Sequence, residues 1–333
     1  MIDPHSGLLL LDSHVDIPWP PGPSGLVDGP RCVDLPKMRQ GGVAATCFVA
    51  YIPQGPRTPE AHEAATARAH AMLDDIAAMA TPGGGRLTPL VDEIEAAYAA
   101  RVPAIVPVIE NGHAVGTDLN NLNAFAAKGV RYITLTHNGH NAIADAAIPL
   151  GNLGDPPSLY GGLSDFGQDV VARMNDLGIL VDISHTAKTT MLQAVERSRV
   201  PVVASHSCVR TLCDHKRNLD DEQLDALGAS GGVIQITIVS SFLRAKARTN
   251  DASVADIADH VDYVVKRLGI NHVGIGTDFD GGGEVRDFRT IAQARNLTTE
   301  LMRRGYGHEE LAKIWGGNFL RVLRQAEAAR VPQ

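Results

Sequence analysis

Short apolar runs recur along the chain and are separated by longer stretches with the period of a helix. Eight runs have the length of a strand, and they cover residues 8–11, 43–49, 104–109, 132–135, 179–183, 202–204, 233–238 and 272–275. Most are continuous rather than alternating, which is typical of parallel strands covered on both faces. The pattern therefore predicts eight buried parallel strands.

Helix signals lie between several of these runs. Residues 59–79 are rich in alanine and begin after Thr58, a capping residue, with Pro59 in the first turn. Three further stretches end directly before a glycine, which supplies a left-handed cap, and they cover residues 117–128, 164–177 and 251–268. Alternating strands and helices predict an α/β fold, a closed TIM (β/α)8 barrel.

The alternative arrangement is an open, doubly wound sheet. Such a sheet usually has a glycine-rich phosphate turn after its first strand. Here the first run is followed by Asp-Ser-His-Val-Asp, which favours the barrel. The Pro/Gly-rich residues 18–30 are interpreted as a loop over the barrel mouth and residues 81–86 as a connector, so one catalytic domain is predicted over residues 1–333.

Composition narrows the classes of partner. The formal net charge is −8, and no cluster of Lys and Arg provides the basic face that nucleic acid requires. The first apolar run is too short for a signal peptide or a membrane span, so we expect a cytoplasmic protein with no membrane partner. The four cysteines form no Cys-x-x-Cys pair and are predicted to be reduced thiols.

Polar residues occur where the apolar runs end. The residues with metal-binding or proton-transfer side chains are His14, Asp16, Glu110, His137, His185, His206 and Asp278. In a parallel barrel all carboxyl ends of the strands converge on one mouth, where polar residues are usually catalytic. Charged groups at such buried positions are costly unless they are paired or bound to a ligand. The sequence therefore predicts an active site at this mouth.

Five of these residues form a complete ligand set for two cations. One ion would take His14, Asp16 and Glu110, and the other would take Glu110, His185 and His206. Nitrogen and oxygen ligands without thiolates suit Zn²⁺, with Mn²⁺ or Co²⁺ as substitutes. We thus predict two Zn²⁺ per chain, bridged by Glu110 and a water or hydroxide. Singly, each histidine could also be a hydrogen-bonded core residue, and Glu110 a helix cap or ion-pair partner.

A carboxylate beside such a site can carry a proton. Asp278 and Asp280 both follow the last apolar run. If the segment stays extended, the two side chains point in opposite directions and one of them faces the metals. We choose Asp278 because it comes first. His113 is interpreted as a support for the site or its loop rather than as a ligand.

Several ordered segments resemble the membrane (renal-type) dipeptidase family of metallopeptidases. They are DSHVDIPW at 12–19, GGV at 41–43, IENGH at 109–113, GVRYITLTHN at 129–138, DISH at 182–185, SHS at 205–207, KRNLDD at 216–221 and GIGTDFDG at 274–281. Each segment alone is weak, but the ordered set covers most of the chain. The resemblance implies a binuclear zinc barrel of the metal-dependent hydrolase type. It also implies that the protein cleaves dipeptides, including L,D-dipeptides with a free C-terminus, with a metal-bridging hydroxide.

The resemblance also implies individual roles. It assigns the five ligands to the metals, His137 to substrate binding and polarisation, Arg217 to the substrate carboxylate, and Asp278 to proton transfer, with Glu110 as the catalytic bridge. From the residues alone, Arg217 could instead form a surface ion pair with Asp220 or Asp221, and His137 a structural hydrogen bond. Val15 replaces an asparagine found in many members, and residues 237–242 lack the tyrosine of some members.

Two rival interpretations remain open on the sequence. Another amidohydrolase-like barrel hydrolase would act on a lactone, an amide or a phosphoester, but such barrels usually open with His-x-His, whereas this chain has His14-Val15-Asp16. A catalytically inactive binding protein would be expected to have lost several ligands. The predicted partner is a small dipeptide, and a homodimer is compatible with the sequence.

Overall fold

The computed structural model describes residues 4–331, which are built around a parallel sheet. Its strands are β1 (Leu10–Asp16), β2 (Val43–Tyr51), β3 (Arg86–Leu87), β4 (Ala104–Glu110), β5 (Tyr132–Thr134), β6 (Leu180–Asp182), β7 (Val203–Ser207), β8 (Val233–Ile236) and β9 (Val273–Ile275). They are arranged in the order β1-β2-β4-β5-β6-β7-β8-β9, and β3 pairs with the start of β4. Every ladder is parallel.

Backbone hydrogen bonds between the two ends of this order nearly close the barrel. The Asp16 N–H donates to the carbonyl of Phe279 at 3.0 Å, and the Asp278 N–H donates to the carbonyl of His14 at 2.9 Å. The segment after β9 thus pairs with β1. The predicted eight-stranded parallel barrel is confirmed, with β3 as a short addition outside it.

Helices cover the outside of the barrel. They are α1 (Leu35–Gly41), α2 (Pro59–Ala77), α3 (Val91–Ala99), α4 (Asn120–Ala127), α5 (Asp165–Leu177), α6 (Lys188–Arg197), α7 (Asp221–Ala229), α8 (Ser240–Leu243), α9 (Val254–Leu268), α10 (Ala294–Arg303), α11 (His308–Ala312) and α12 (Asn318–Ala328). A π-helical stretch, Lys313–Gly317, joins the last two. Thr58 caps α2 through a hydrogen bond from the Ala61 N–H, and Gly178 ends α5 with a φ of 68°, as the sequence signals predict.

The first strand differs from its prediction. The apolar signal ends at Leu11, but β1 continues to Asp16. The polar residues of this strand are held in extended conformation because β2 pairs with them on one side and Phe279 on the other. His14 and Asp16 therefore lie within the strand rather than in the loop that follows it.

The structure also describes the state of the cysteines and the character of the helices. All four cysteines lie within the described residues and are free, with Cys47, Cys208 and Cys213 buried. Among the helices of residues 4–331, none combines the length and apolar character that crossing a bilayer would require.

Candidate active site

A cavity of about 520 Å³ opens at the carboxyl ends of the strands. Its titratable lining includes Asp16, Glu110, His137, His185 and Asp278. His14 and His206 lie close to these groups and are almost completely buried. The parallel topology thus brings to one mouth the seven residues that follow or end apolar runs in the sequence.

The carboxylate of Glu110 faces different histidines with its two oxygens. Oε1 lies 3.1 Å from Nε2 of His185 and 3.3 Å from Nε2 of His206. Oε2 lies 3.8 Å from Nε2 of His14. A carboxylate placed in this way can offer one oxygen to each of two cations.

Buried acceptor atoms without partners also fit a cation site. Within residues 4–331, Nε2 of His14 and Oδ1 of Asp16 are buried and have no hydrogen-bond partner. Nε2 of His185 and Nε2 of His206 lie 3.0 Å apart. A tetrahedral Zn²⁺ with Zn–N bonds of about 2.0–2.1 Å separates two ligand nitrogens by roughly 3.3 Å. The donor set and its spacing therefore fit Zn²⁺.

A tyrosine on β5 determines the tautomer of His14. The Tyr132 hydroxyl lies 2.8 Å from Nδ1 of His14 and donates its own proton to the Ser13 carbonyl at 2.8 Å. The phenol oxygen must then accept a hydrogen bond from the Nδ1–H of His14. The lone pair of His14 is left on Nε2, on the side of Glu110.

His185 and His206 are also oriented by hydrogen bonds to their Nδ1 atoms. The Ser205 hydroxyl donates to Oδ2 of Asp182 at 2.6 Å, so it accepts from Nδ1 of His206 at 2.8 Å. Nδ1 of His185 lies 3.2 Å from Oδ1 of Asn138. All three imidazoles can therefore present an Nε2 lone pair to a shared centre, which is the arrangement that metal ligands require.

The pKa shifts of Glu110 and the three histidines also bear on metal binding. Burial opposes ionisation of Glu110, but the surrounding imidazoles outweigh this effect and hold its pKa well below its ordinary value. Burial lowers the pKa of His185 and His206 well below the ordinary value. Burial also opposes the charge on His14, yet Glu110 and neighbouring carboxylates raise the pKa of His14 to about 9. A proton on His14 thus occupies the place that a cation would take.

The potential ligand atoms fall into three overlapping groups, in each of which all atoms lie within 4.8 Å of one another. The groups are His14 with Glu110 and His206, Glu110 with His137 and His185, and His14 with Asp16 and Asp278. The five predicted metal ligands are thus brought together. The grouping differs from the two predicted sets, since His206 also lies beside His14, and His137 and Asp278 join the cluster.

The two aspartates after β9 have different partners. Asp278 belongs to the cluster, and burial raises its pKa to about 7. The Asp280 carboxylate instead accepts the backbone N–H groups of Cys32 at 2.7 Å and Val33 at 3.2 Å. The choice of Asp278 over Asp280 therefore agrees with the structure. The segment is not extended here, since both aspartates have positive φ, 63° and 62°, so simple alternation is not the reason.

Arg217 is buried beside the cluster rather than paired on the surface. It is 3% exposed, donates to the His206 carbonyl at 3.1 Å and packs over the Phe242 ring at 5.6 Å. The alternative of a surface ion pair is wrong, since Asp220 pairs with Lys188 and Asp221 with Arg267. Nε of Arg217 finds no hydrogen-bond partner in the described part of the chain.

Sequence reasoning missed several residues around the cluster. In the sequence, Tyr132 looks like one more apolar position of a strand. Nothing in its own segment predicts a contact with His14. Ser205 and Asn138 had a weak signal, since they adjoin His206 and His137 in sequence. His113 lies outside the cluster, with Nδ1 at 3.3 Å from Nε2 of Gln54.

Comparison with known sequences places this arrangement in a family. The family model described as membrane dipeptidase (peptidase family M19) matches residues 5–333. Dipeptidase aclJ of Aspergillus oryzae is 32% identical over 303 residues, which cover 89% of this chain and 70% of aclJ. Dipeptidase 3 of Rattus norvegicus is 33% identical over 300 residues, which cover 89% of this chain and 59% of the rat protein.

Solved structures agree with the sequence matches. The probable dipeptidase PvdM from Pseudomonas aeruginosa is 29% identical, superposes with a TM-score of 0.93 and matches 98% of this chain and 97% of its own. A metallopeptidase described as dipeptidase AC of family M19 is 25% identical, with a TM-score of 0.84 over 96% of this chain and 98% of its own. The chain therefore belongs to the membrane dipeptidase family, peptidase family M19.

Proposed function

We propose that this protein is a binuclear metallo-dipeptidase that hydrolyses the peptide bond of dipeptides with a free C-terminal carboxylate. The proposal rests mainly on one observation. The two oxygens of Glu110 face His14 on one side and His185 and His206 on the other. Membership of a dipeptidase family supplies the reaction class.

The residues that would hold the cations are those around Glu110. They are His14, Asp16, Glu110, His185 and His206, and the orphaned acceptors on His14 and Asp16 support this assignment. When bound, two Zn²⁺ ions would supply the Lewis acidity that activates water and polarises the scissile carbonyl. The protein contributes a preorganised, largely buried set of imidazole nitrogens and carboxylate oxygens.

His137 is suited to stabilise charge on the carbonyl oxygen. Its Nε2 lies 3.9 Å from Oε1 of Glu110, and its ring is packed edge-on against Tyr51 at 4.8 Å. Burial lowers the pKa of His137, which keeps the imidazole neutral. A neutral imidazole can donate one hydrogen bond to the oxygen where negative charge develops.

Asp278 is suited to move the proton. It lies beside His14 and Asp16, and its pKa near 7 lets it both accept and release a proton at neutral pH. In the proposed reaction the carboxylate takes the proton of the attacking water and delivers it to the leaving amine.

Arg217 is suited to bind the C-terminal carboxylate of the substrate. Its guanidinium is buried, and no carboxylate of residues 4–331 forms an ion pair with it. A substrate carboxylate would supply the missing partner. This contact would limit the substrates to short peptides with a free C-terminus, of either L,L or L,D configuration.

Metal analysis and a substrate panel test the proposal together. The purified protein is expected to bind about two Zn²⁺ per chain and to cleave L,L- or L,D-dipeptides, but neither a lactone nor a phosphotriester. Glu110→Gln should lose most of the metal, whereas the exposed control Glu63→Gln should retain it. A metal-loaded protein that leaves all dipeptides intact and cleaves the lactone or the phosphotriester would overturn the proposal.

A further inference from the structure

Arg68 is a cation without an anionic partner in the wall of the active-site cavity. It belongs to α2 and lines the cavity together with Trp19 and Tyr51. Within residues 4–331 no carboxylate lies within ion-pair distance of it, and its Nε is buried without a hydrogen-bond partner. By contrast, Arg304 pairs with three carboxylates.

The position of Arg68 is held by an aromatic contact. Its guanidinium carbon lies 5.7 Å from the centroid of the Trp19 ring, which lines the same cavity. Stacking on an aromatic face restrains a guanidinium without using its N–H donors. The N–H donors on its two Nη atoms therefore stay available to a ligand in the cavity.

Arg68 and Arg217 lie on opposite sides of the barrel mouth. Arg68 follows β2, and Arg217 follows β7. In the strand order these two strands are four places apart in a ring of eight, which makes them diametrically opposed. Arg217 lines a neighbouring cavity, and His185 of the cluster lines both this cavity and the one that Arg68 lines.

The proposed role of Arg217 sets the orientation of a dipeptide in this arrangement. Two extended residues span roughly 7 Å, and a cavity of several hundred Å³ is the usual size for a small ligand. With the C-terminal carboxylate at Arg217 and the peptide bond at the cluster, the first residue of the substrate faces Arg68. A guanidinium there attracts a carboxylate on the side chain of that residue and repels an ammonium group on the side chain.

We propose that Arg68 is a specificity-determining residue that binds the side-chain carboxylate of an acidic N-terminal residue, so that Glu-Xaa and Asp-Xaa dipeptides are preferred substrates. The inference rests on the proposed dipeptidase function and on the assignment of Arg217 to the C-terminal carboxylate. The inference specifies which side chains are preferred at the first residue of the substrate, a property that the metal cluster does not determine.

Isosteric substrates test the role of the charge. The wild-type protein is expected to cleave Glu-Ala with a kcat/KM about tenfold above that of Gln-Ala, the effect of one charge-assisted hydrogen bond at a partly exposed site. In Arg68→Gln the ratio should fall to about one. The control Arg248→Gln removes the same charge from a side chain that is 91% exposed, and it should keep the wild-type ratio.

A reversal of charge separates recognition from a structural role. Arg68→Glu should prefer Lys-Ala over Met-Ala, which a merely structural arginine would not produce. Equal rates on Glu-Ala and Gln-Ala in the wild-type protein would overturn the inference, as would an equal loss on both substrates in Arg68→Gln. Cleavage of Gln-Ala keeps the dipeptidase proposal intact in either case, whereas a metal-loaded protein that cleaves no dipeptide overturns that proposal itself.

Discussion

The hydroxyl oxygen of Tyr132 lies 2.8 Å from Nδ1 of His14, across the interior of the barrel. The two residues belong to β5 and β1, which are not neighbours in the strand order. Because the tyrosine proton is already donated to the Ser13 carbonyl, the phenol acts as an acceptor toward His14. A fully buried aromatic residue of the core thus orients a proposed metal ligand.

This contact leads to a prediction about metal affinity. Tyr132→Phe keeps the ring but removes the acceptor, so we expect metal affinity to fall about 10- to 100-fold, the usual cost of losing a group that orients a ligand. Competition with a chelator would measure the change. The control Tyr98→Phe, on the outer helix α3, should bind metal like the wild type. Equal affinities of Tyr132→Phe and wild type would contradict the assignment.

Replacement of Asp278 should separate catalysis from metal binding. Asp278→Asn keeps the size of the side chain but cannot accept a proton, and general-base groups contribute about 10²- to 10⁴-fold to a rate. We expect kcat on a dipeptide to fall by a factor in that range, with the metal content close to two ions per chain. Unchanged kcat would rule out the proton-transfer role, and loss of the metal would show that Asp278 is a ligand instead.

Arg217 should matter most for substrates with a free C-terminus. Arg217→Met keeps the packing against Phe242 and removes the charge. We expect kcat/KM for a free dipeptide to fall about 100-fold or more, since a buried charge-assisted contact is lost. The corresponding amide, already a poor substrate, should change little. Similar losses on both substrates would argue that Arg217 supports the fold rather than the substrate.

An ion-pair cluster at the C-terminal end of α10 predicts a dependence of stability on pH. Hydrogen bonds from Arg303 and Arg304 outweigh the effect of burial and lower the pKa of Glu300 from 4.5 to about 2. A depressed carboxyl pKa stabilises the folded state above the unfolded value, and the effect is lost as the pH falls toward 2.

Glu300→Gln measures this contribution directly. At pH 7 the variant is expected to be less stable by about 1 kcal/mol, since the pair is near the surface and screened by solvent. Denaturant unfolding at pH 7, 5, 4 and 3 should show the difference shrinking below pH 4.5. A difference that stays constant across this range would mean that the charge of Glu300 is not responsible.

Much of the fold was predictable because its signals are local. Short apolar runs marked every strand of the barrel, and Thr58 and Gly178 marked the ends of helices through capping preferences that act over a few residues. The short strand β3 was missed, since two residues paired with the start of β4 leave no periodic pattern. The extent of β1 was also missed, because the polar residues that begin with Asp12 interrupt the apolar signal although the backbone remains paired.

The sequence by itself determined the kinds of side chain at the mouth, and hence the chemistry of a nitrogen and oxygen ligand set, because each of these residues follows or ends an apolar run. Only the tertiary structure decided how they meet. The two oxygens of Glu110 face His14 and His185, Tyr132 contacts His14, and Arg68 lies opposite Arg217. In each case the residues are far apart in the chain. The spatial relationships between these residues depend on barrel closure and strand register. No local pattern of residues is sensitive to either.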